Sequence, residues 1–255
     1  MSELDDSKMP LLDHLIELRS RLLWSFLALA IAFGVSLYFA RPIFGFLVQP
    51  LLASGQTKLI YTAIFEAFFV EIKVAFFAAT FFSFPVFATQ LWRFVAPGLY
   101  TKEKNAFLPF LLATPVLFIV GASMAYFMAI PVALEYLLGF GGTVGGVEQE
   151  ALPGVDNYLN FVMKFIFGFG VSFLLPVLLM LLERAGIVTL EQLKSARRYA
   201  IVGAFAIAAV LTPPDVVSQL LLAIPLCILY ELALIAIWFT RRRRNKAAAA
   251  EEAST

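Results

Sequence analysis

One cysteine and one histidine are all that the sequence offers of the residue types that hold most transition metals and relay most protons. Cys227 alone excludes an intrachain disulfide and a CxxC site, and inside an apolar run it reads as a small buried hydrophobe. His14 as the only histidine removes most metal and proton-relay roles, and reads as a polar residue at a membrane interface. Neither a metal nor a cofactor is expected. Charge is scarce as well, with Asp, Glu, Lys and Arg at 15% of the chain against 61% hydrophobic residues. A soluble domain of 255 residues would carry more charge on its surface. A nucleic-acid binder would show a basic face, whereas here the net charge is +1 and the cations lie in clusters between apolar runs. There is no Walker loop, nucleophile elbow or dinucleotide fingerprint, and Gly141-Gly142…Gly145-Gly146 follows no strand that would make it a phosphate cradle.

Long apolar runs are what the chain does have. Residues 22–40, 66–95, 106–134, 157–182, 199–211 and 216–238 read as six membrane spans, which predicts an all-α polytopic fold. Residues 1–240 make up this six-helix domain, and 241–255 a basic and then mobile tail. The start, Met1–Pro10, is acidic and polar, unlike a cleavable signal peptide, so the first run reads as a retained span. The third run exceeds the minimum length and predicts a tilt or a kink at Pro109, Pro115 or Pro131. Spans five and six are separated only by Thr212-Pro213-Pro214-Asp215, a tight turn, because neither proline continues a helix. Span five, Tyr199–Leu211, is 13 residues, roughly 20 Å at 1.5 Å per residue, and so is short for a bilayer core of about 30 Å.

Lys and Arg placement sets the expected orientation. Lys8, Arg19 and Arg21 precede span one; Arg93, Lys102 and Lys104 surround the connection between two and three; Arg184, Lys194, Arg197 and Arg198 fill that between four and five; Arg241–Arg244 and Lys246 follow span six. The opposite connections hold only Arg41 and Lys58 in the first, and none in Glu135–Asp156 or the final turn. By the positive-inside rule both termini are cytoplasmic.

Two cytoplasmic carboxylates stand out within this plan. Leu11, Leu12, Leu15, Ile16, Leu18, Leu22 and Leu23 form an apolar stripe, an amphipathic lead-in to span one. Its charges either face solvent, or Glu17 faces a groove and offers its carboxylate to a partner. The connection Trp92–Lys104 contains Ala96-Pro97-Gly98, which breaks the helix, and Glu103, a loop charge between lysines. Lys164 is a span-four charge with a stem long enough to snorkel to the outer interface.

Four motifs in order make the chain recognisable: His14–Leu22 (HLIELRSRL), Phe94–Tyr100 with Glu103 (FVAPGLY…E), Phe169–Phe173 with Pro176 (FGVSF…P) and Leu211–Asp215 with Ser218-Gln219 (LTPPD…SQ). They resemble the TatC family, the polytopic receptor subunit of the twin-arginine protein translocase, over about Leu11 to Trp238. The resemblance implies a receptor, not an enzyme, in the bacterial cytoplasmic (inner) membrane. It implies that Glu17 and Glu103 engage the paired arginines of signal peptides on folded cargo, with Arg19 and Phe94 beside them. A planar bidentate fork between guanidinium and carboxylate would suit that recognition. Small single-span TatA/TatB-type proteins, further copies in a larger complex and the lipid bilayer are the implied partners, with transport driven by the proton-motive force. Pro50, placed in the first outside loop, and Tyr126, Thr212, Asp215, Gln219 and Glu231 match family positions of structural or partner-interface character. Glu231 is the intramembrane carboxylate of most interest, with Arg241 too distant to be its obvious partner. The chain departs from the family at Leu174, where a polar or acidic residue is common. The alternative from another class is a secondary transporter or small-solute channel, for which the sequence offers few midplane charges and no visible inverted repeat.

Overall fold

The computed structural model describes residues 8–99, 108–144, 147–149, 152–212 and 215–252. Five stretches are long and apolar enough to cross a membrane: Leu15–Tyr38, Glu66–Phe94, Phe110–Leu138, Val155–Arg184 and Val216–Arg242. Ala40–Ala53 is a shorter apolar helix, and with the 15-residue helix Arg197–Leu211 the five make an all-α, six-helix polytopic protein. The chain forms two compact units, one of Met1–Gln49, Leu59–Pro115 and Gly154–Leu159, the other of Pro50–Lys58, Val116–Pro153 and Asn160–Thr255.

In the first unit, α1 (Lys8–Tyr38) runs unbroken from the amphipathic lead-in through the first apolar run. It packs on α3 (Glu66–Leu99), and the two are antiparallel: Phe33 meets Phe76 edge to face at 6.3 Å, and beyond the end of α1 Arg41 Nε donates to Glu71 Oε1 at 3.0 Å. Between them in sequence comes α2 (Ala40–Ala53). Pro50 therefore sits inside a helix and not in an outside loop. The reason is the spacing of Leu47, Val48 and Leu51, all buried on one face, which stabilises helical winding over a proline close to the helix end. Ser54 then closes that end, its N–H and Oγ donating to the Pro50 carbonyl at 3.2 and 2.9 Å.

The same unit is tied at one end by the buried Glu66 carboxylate. Glu66 Oε2 accepts from the backbone N–H of Thr62 at 2.5 Å, from Thr62 Oγ1 at 2.9 Å and from the N–H of Ala63 at 3.1 Å. Its Oε1 accepts from the N–H of Asp156 at 2.9 Å, in the first turn of α6 (Val155–Ser172). The neighbouring Val155 N–H donates to the Ile60 carbonyl at 2.9 Å. Two of the N–H groups that a helix start leaves orphaned are thereby satisfied, and an anion stands where the α6 dipole favours one. Lys73 on α3 pairs with the Asp156 carboxylate at 2.5 Å, and Tyr158 Oη donates to the Leu47 carbonyl of α2 at 2.8 Å. None of these links joins residues close in sequence except those to Thr62 and Ala63.

In the second unit the prolines locate the irregularities. The third span is α4 (Leu108–Met124), a π turn (Ala125–Ala129) and α5 (Ile130–Leu138). Of the expected kink sites, Pro115 lies within α4 without a break and the wide turn precedes Pro131. Pro131 has no N–H for the carbonyl four residues back, and its ring crowds that carbonyl, so the preceding turn opens to π spacing. The fourth span breaks at Phe173-Leu174, between α6 and α7 (Leu175–Arg184), with Pro176 at the start of the second half. Leu174 is half-buried at that joint, and its N–H donates to the Val171 carbonyl at 3.0 Å. Here α4 and α6 approach closely through glycines. A Cβ on Gly170 would lie 2.7 Å from the Phe118 ring, and one on Gly121 would lie 2.6 Å from the Phe169 carbonyl. Such small-residue contacts are the usual way apolar helices associate in lipid. After α5, β1 (Gly142–Val144) and β2 (Val147–Gln149) form a short antiparallel hairpin. A six-residue helix, α8 (Leu190–Ser195), precedes α9 (Arg197–Leu211) and α10 (Val216–Glu252).

Replacing Tyr158 by Phe removes its buried bond to the Leu47 carbonyl and is expected to destabilise the protein by about 0.5–1.5 kcal/mol, read as a lower melting temperature in detergent. Glu66→Ala frees four donated bonds at once and lowers it further. Glu71→Ala, which removes only an exposed ion pair, leaves it within about 1 kcal/mol of wild type.

Candidate functional site

The basic end of the first unit is built by α1 and α3. Counting sixteen residues back from Phe33 and sixteen on from Phe76, at equal rise, puts Glu17 level with Trp92. Glu17 and Phe94 are thus at the same end of the antiparallel pair. Trp92 Nε1 donates to Thr114 Oγ1 at 3.0 Å, which ties the end of α3 to α4 on the far side of the connection. Glu103, expected in that connection, lies outside the described residues.

Glu17 is half-buried and already holds a guanidinium. Its Oε1 accepts from Arg21 Nε at 3.0 Å and also from Arg21 Nη2, one turn along the same helix. Ser25 Oγ donates to the Arg21 carbonyl at 3.0 Å and steadies the turn. Arg19 points away from this pair, exposed, and Phe94 is half-buried. A carboxylate and a guanidinium four residues apart on a helix surface stabilise it by only about 0.3–0.5 kcal/mol, so the carboxylate can exchange one arginine for another at little cost.

A second group of expected residues surrounds the turn between α9 and α10. Thr212 is buried at the end of α9, its N–H and its Oγ1 both donating to the Ala208 carbonyl, at 2.8 and 2.9 Å. Pro213 and Pro214 lie outside the described residues. Asp215 caps α10, with Oδ1 accepting from the Ser218 N–H at 2.7 Å. Gln219 Nε2 reaches back to the Phe205 carbonyl at 3.3 Å and straps the two helices together. Among the described residues, Asp215 Oδ2 and Ser218 Oγ are buried and find no hydrogen-bond partner. Buried oxygens in that state cost free energy until something donates to them or accepts from them.

Glu231 is brought to a partner that spacing along the chain did not suggest. Arg197, at the start of α9, donates from Nη2 to Glu231 Oε2 at 2.8 Å, and Arg241 donates to Glu191 Oε1 at 2.8 Å. Both pairs flank α8, which Thr189 and Gln192 close with reciprocal side-chain to backbone bonds. Tyr230 Oη donates to the Leu193 carbonyl at 2.7 Å, and Leu190, Leu193, Tyr230, Leu234 and Ile237 pack together beneath. Glu191 titrates below the ordinary carboxylate range because its own backbone N–H and then Arg241 donate to it. The Thr189–Gln192 spacing was the one local signal in sequence that α8 existed. Elsewhere in this unit, Pro50 and Tyr126 are buried, the latter in the π turn with its ring edge to face on Phe127 at 4.9 Å.

Residues 13–225 match the family described as Sec-independent protein translocase protein (TatC). The chain belongs to the TatC family. It is 47% identical over 253 residues to the TatC protein of Magnetococcus marinus, covering 97% of this chain and 91% of that one. It is 40% identical over 235 residues to that of Escherichia coli, covering 91% and 88%. Two solved structures, described as Twin Arginine Translocase Receptor TatC, superpose with TM-scores of 0.77 and 0.79 at 43% and 42% identity. They cover 87% and 88% of this chain and 96% and 98% of theirs. As a TatC protein the chain is a multi-pass membrane component of a bacterial Sec-independent translocase, a transport subunit and not an enzyme.

In this TatC chain the Arg197–Glu231 pair fastens α9 to α10. Reversing one charge, Arg197→Glu, sets two carboxylates face to face and is expected to lower the melting temperature in detergent; adding Glu231→Arg restores most of the loss. A double variant no more stable than the single one would rule the pair out as the fastening.

Proposed function

We propose that this chain is the receptor and core subunit of the twin-arginine translocase in the bacterial inner membrane, with both termini cytoplasmic. It binds the paired arginines of signal peptides on folded cargo. Glu17 takes one arginine and Glu103 the other, with Arg19 and Phe94 lining the same end. The observation that carries this reading is the Glu17–Arg21 pair, in which Nε and Nη2 both donate to Glu17 Oε1. The carboxylate thus already takes a guanidinium from within the chain, at a strength an incoming arginine can displace. The antiparallel register of α1 and α3, which sets Glu17 level with Trp92, supports grouping these residues.

Assembly with TatA- and TatB-type single-span subunits is assigned to α9 and α10. The buried Asp215 and Ser218 oxygens without partners support it, since a polar side chain on a docking helix would satisfy them. Thr212, Gln219 and Glu231 flank the same face, while Pro50 and Tyr126 serve its architecture. The short α9, 15 residues or about 22 Å, thins the bilayer beside that face. The translocase runs on the proton-motive force, and the chain self-associates within the larger complex.

Crosslinking of a twin-arginine precursor to the purified protein tests the site. The double variant Glu17→Ala, Glu103→Ala is expected to lose at least tenfold in arginine-dependent crosslinks, the loss of one charge-assisted fork worth about 1.5–3 kcal/mol. Undiminished crosslinking in that variant would remove both residues from the receptor site.

A further inference from the structure

Two arginines at the α8 corner of the second unit are held in an unusual way. The Arg198 guanidinium lies 4.8 Å from the centre of the Tyr199 ring, and that of Arg242 lies 5.4 Å from the Trp238 ring. Both rings are exposed, 65% for Tyr199 and 42% for Trp238, at the ends of membrane-spanning helices where aromatic side chains meet the headgroup layer. Their neighbours Arg197 and Arg241 are neutralised by Glu231 and Glu191. Among the described residues neither Arg198 nor Arg242 pairs with a carboxylate, and Lys194 on α8 adds a third exposed cation. Arg198 Nη2 also donates to the Tyr199 hydroxyl at 3.0 Å, which orders that guanidinium and leaves its other N–H groups, like those of Arg242, for a tetrahedral oxyanion.

We propose that Arg198 and Arg242 each bind the phosphate headgroup of an anionic phospholipid, two separate contacts that anchor the start of α9 and the end of α10 to lipid. The ion pairs are part of the device. Arg197–Glu231 and Arg241–Glu191 fix the two helix ends on either side of α8, so that the adjacent arginine on each helix is presented at a set height. A phosphodiester in the headgroup layer takes both charge and fork, while its acyl chains lie along the exposed faces that Tyr199, Val202 and Ile235 contribute. That the lipid lies in the cytoplasmic leaflet rests on the orientation proposed above; the lipid preference does not.

The test uses the full chain purified in mild detergent, supplied with equal amounts of phosphatidylglycerol and phosphatidylcholine, with retained lipids counted by native mass spectrometry. Phosphatidylglycerol is expected to be retained in excess. Arg198→Gln and Arg242→Gln each lower that excess about fivefold, the usual effect of one basic residue at an anionic surface, and together abolish it. Arg41→Gln, an arginine of the other unit, leaves it unchanged. Melting temperatures in phosphatidylcholine alone match wild type for all variants, which separates lost binding from lost folding. Equal retention of the two lipids, or an excess that the double variant keeps, would overturn both contacts. Release of the lipid by inorganic phosphate would mark a free-anion site and overturn the lipid assignment. Since micelles have no sides and the assay has no signal peptide, failure here leaves the receptor reading intact.

Discussion

The Glu66 carboxylate is the fixed point of the first unit. It gathers the turn before α3 and the first turn of α6 onto two oxygens, and the Asp156 N–H it receives belongs to a helix start 90 residues away in sequence. In a membrane the helix starts must find such partners within the protein, because hydrocarbon supplies none. Once α3 begins at Glu66, its 34 residues run about 50 Å, and its register against α1 determines what stands beside Glu17 at the opposite end. A carboxylate at one end of the unit thus governs the composition of the candidate site at the other.

The second unit solves the same problem with prolines, glycines and ion pairs. Pro131 and Pro176 interrupt long apolar runs, and the backbone responds with a π turn and a two-residue joint, so the freed carbonyls fall at defined places. Gly121 and Gly170 let α4 and α6 come to aromatic contact without a Cβ between them. At the α8 corner the charges do not float free. Arg197–Glu231 and Arg241–Glu191 take fixed geometries around a capping box, and Tyr230 closes the apolar layer beneath them.

Much of this was legible in the residues. Apolar run length located the spans, because the bilayer imposes it, and the double proline after Thr212 marked the α9–α10 turn. The resemblance to TatC followed from four short motifs whose order along the chain carries more information than any one of them. What the sequence hid was pairing across distance. Glu66 stands 90 residues from Asp156, and Leu47 111 from Tyr158, and nothing in that spacing says that the fold brings them together. Glu231 has no close arginine on its own helix, and its partner, Arg197, comes from α9. Pro50 and Arg41 interrupt the apolar pattern of residues 40–53, and the buried face made by Leu47, Val48 and Leu51 outweighs both.

The proposed receptor reads a planar guanidinium fork, and not positive charge alone. The direct test is the equilibrium affinity of the purified wild-type chain for a twin-arginine signal peptide against the same peptide carrying two lysines. Lysine keeps the charge but cannot form the fork, so its peptide is expected to bind at least tenfold more weakly, the equivalent of about 1.4 kcal/mol. Equal affinity for the two peptides would contradict it.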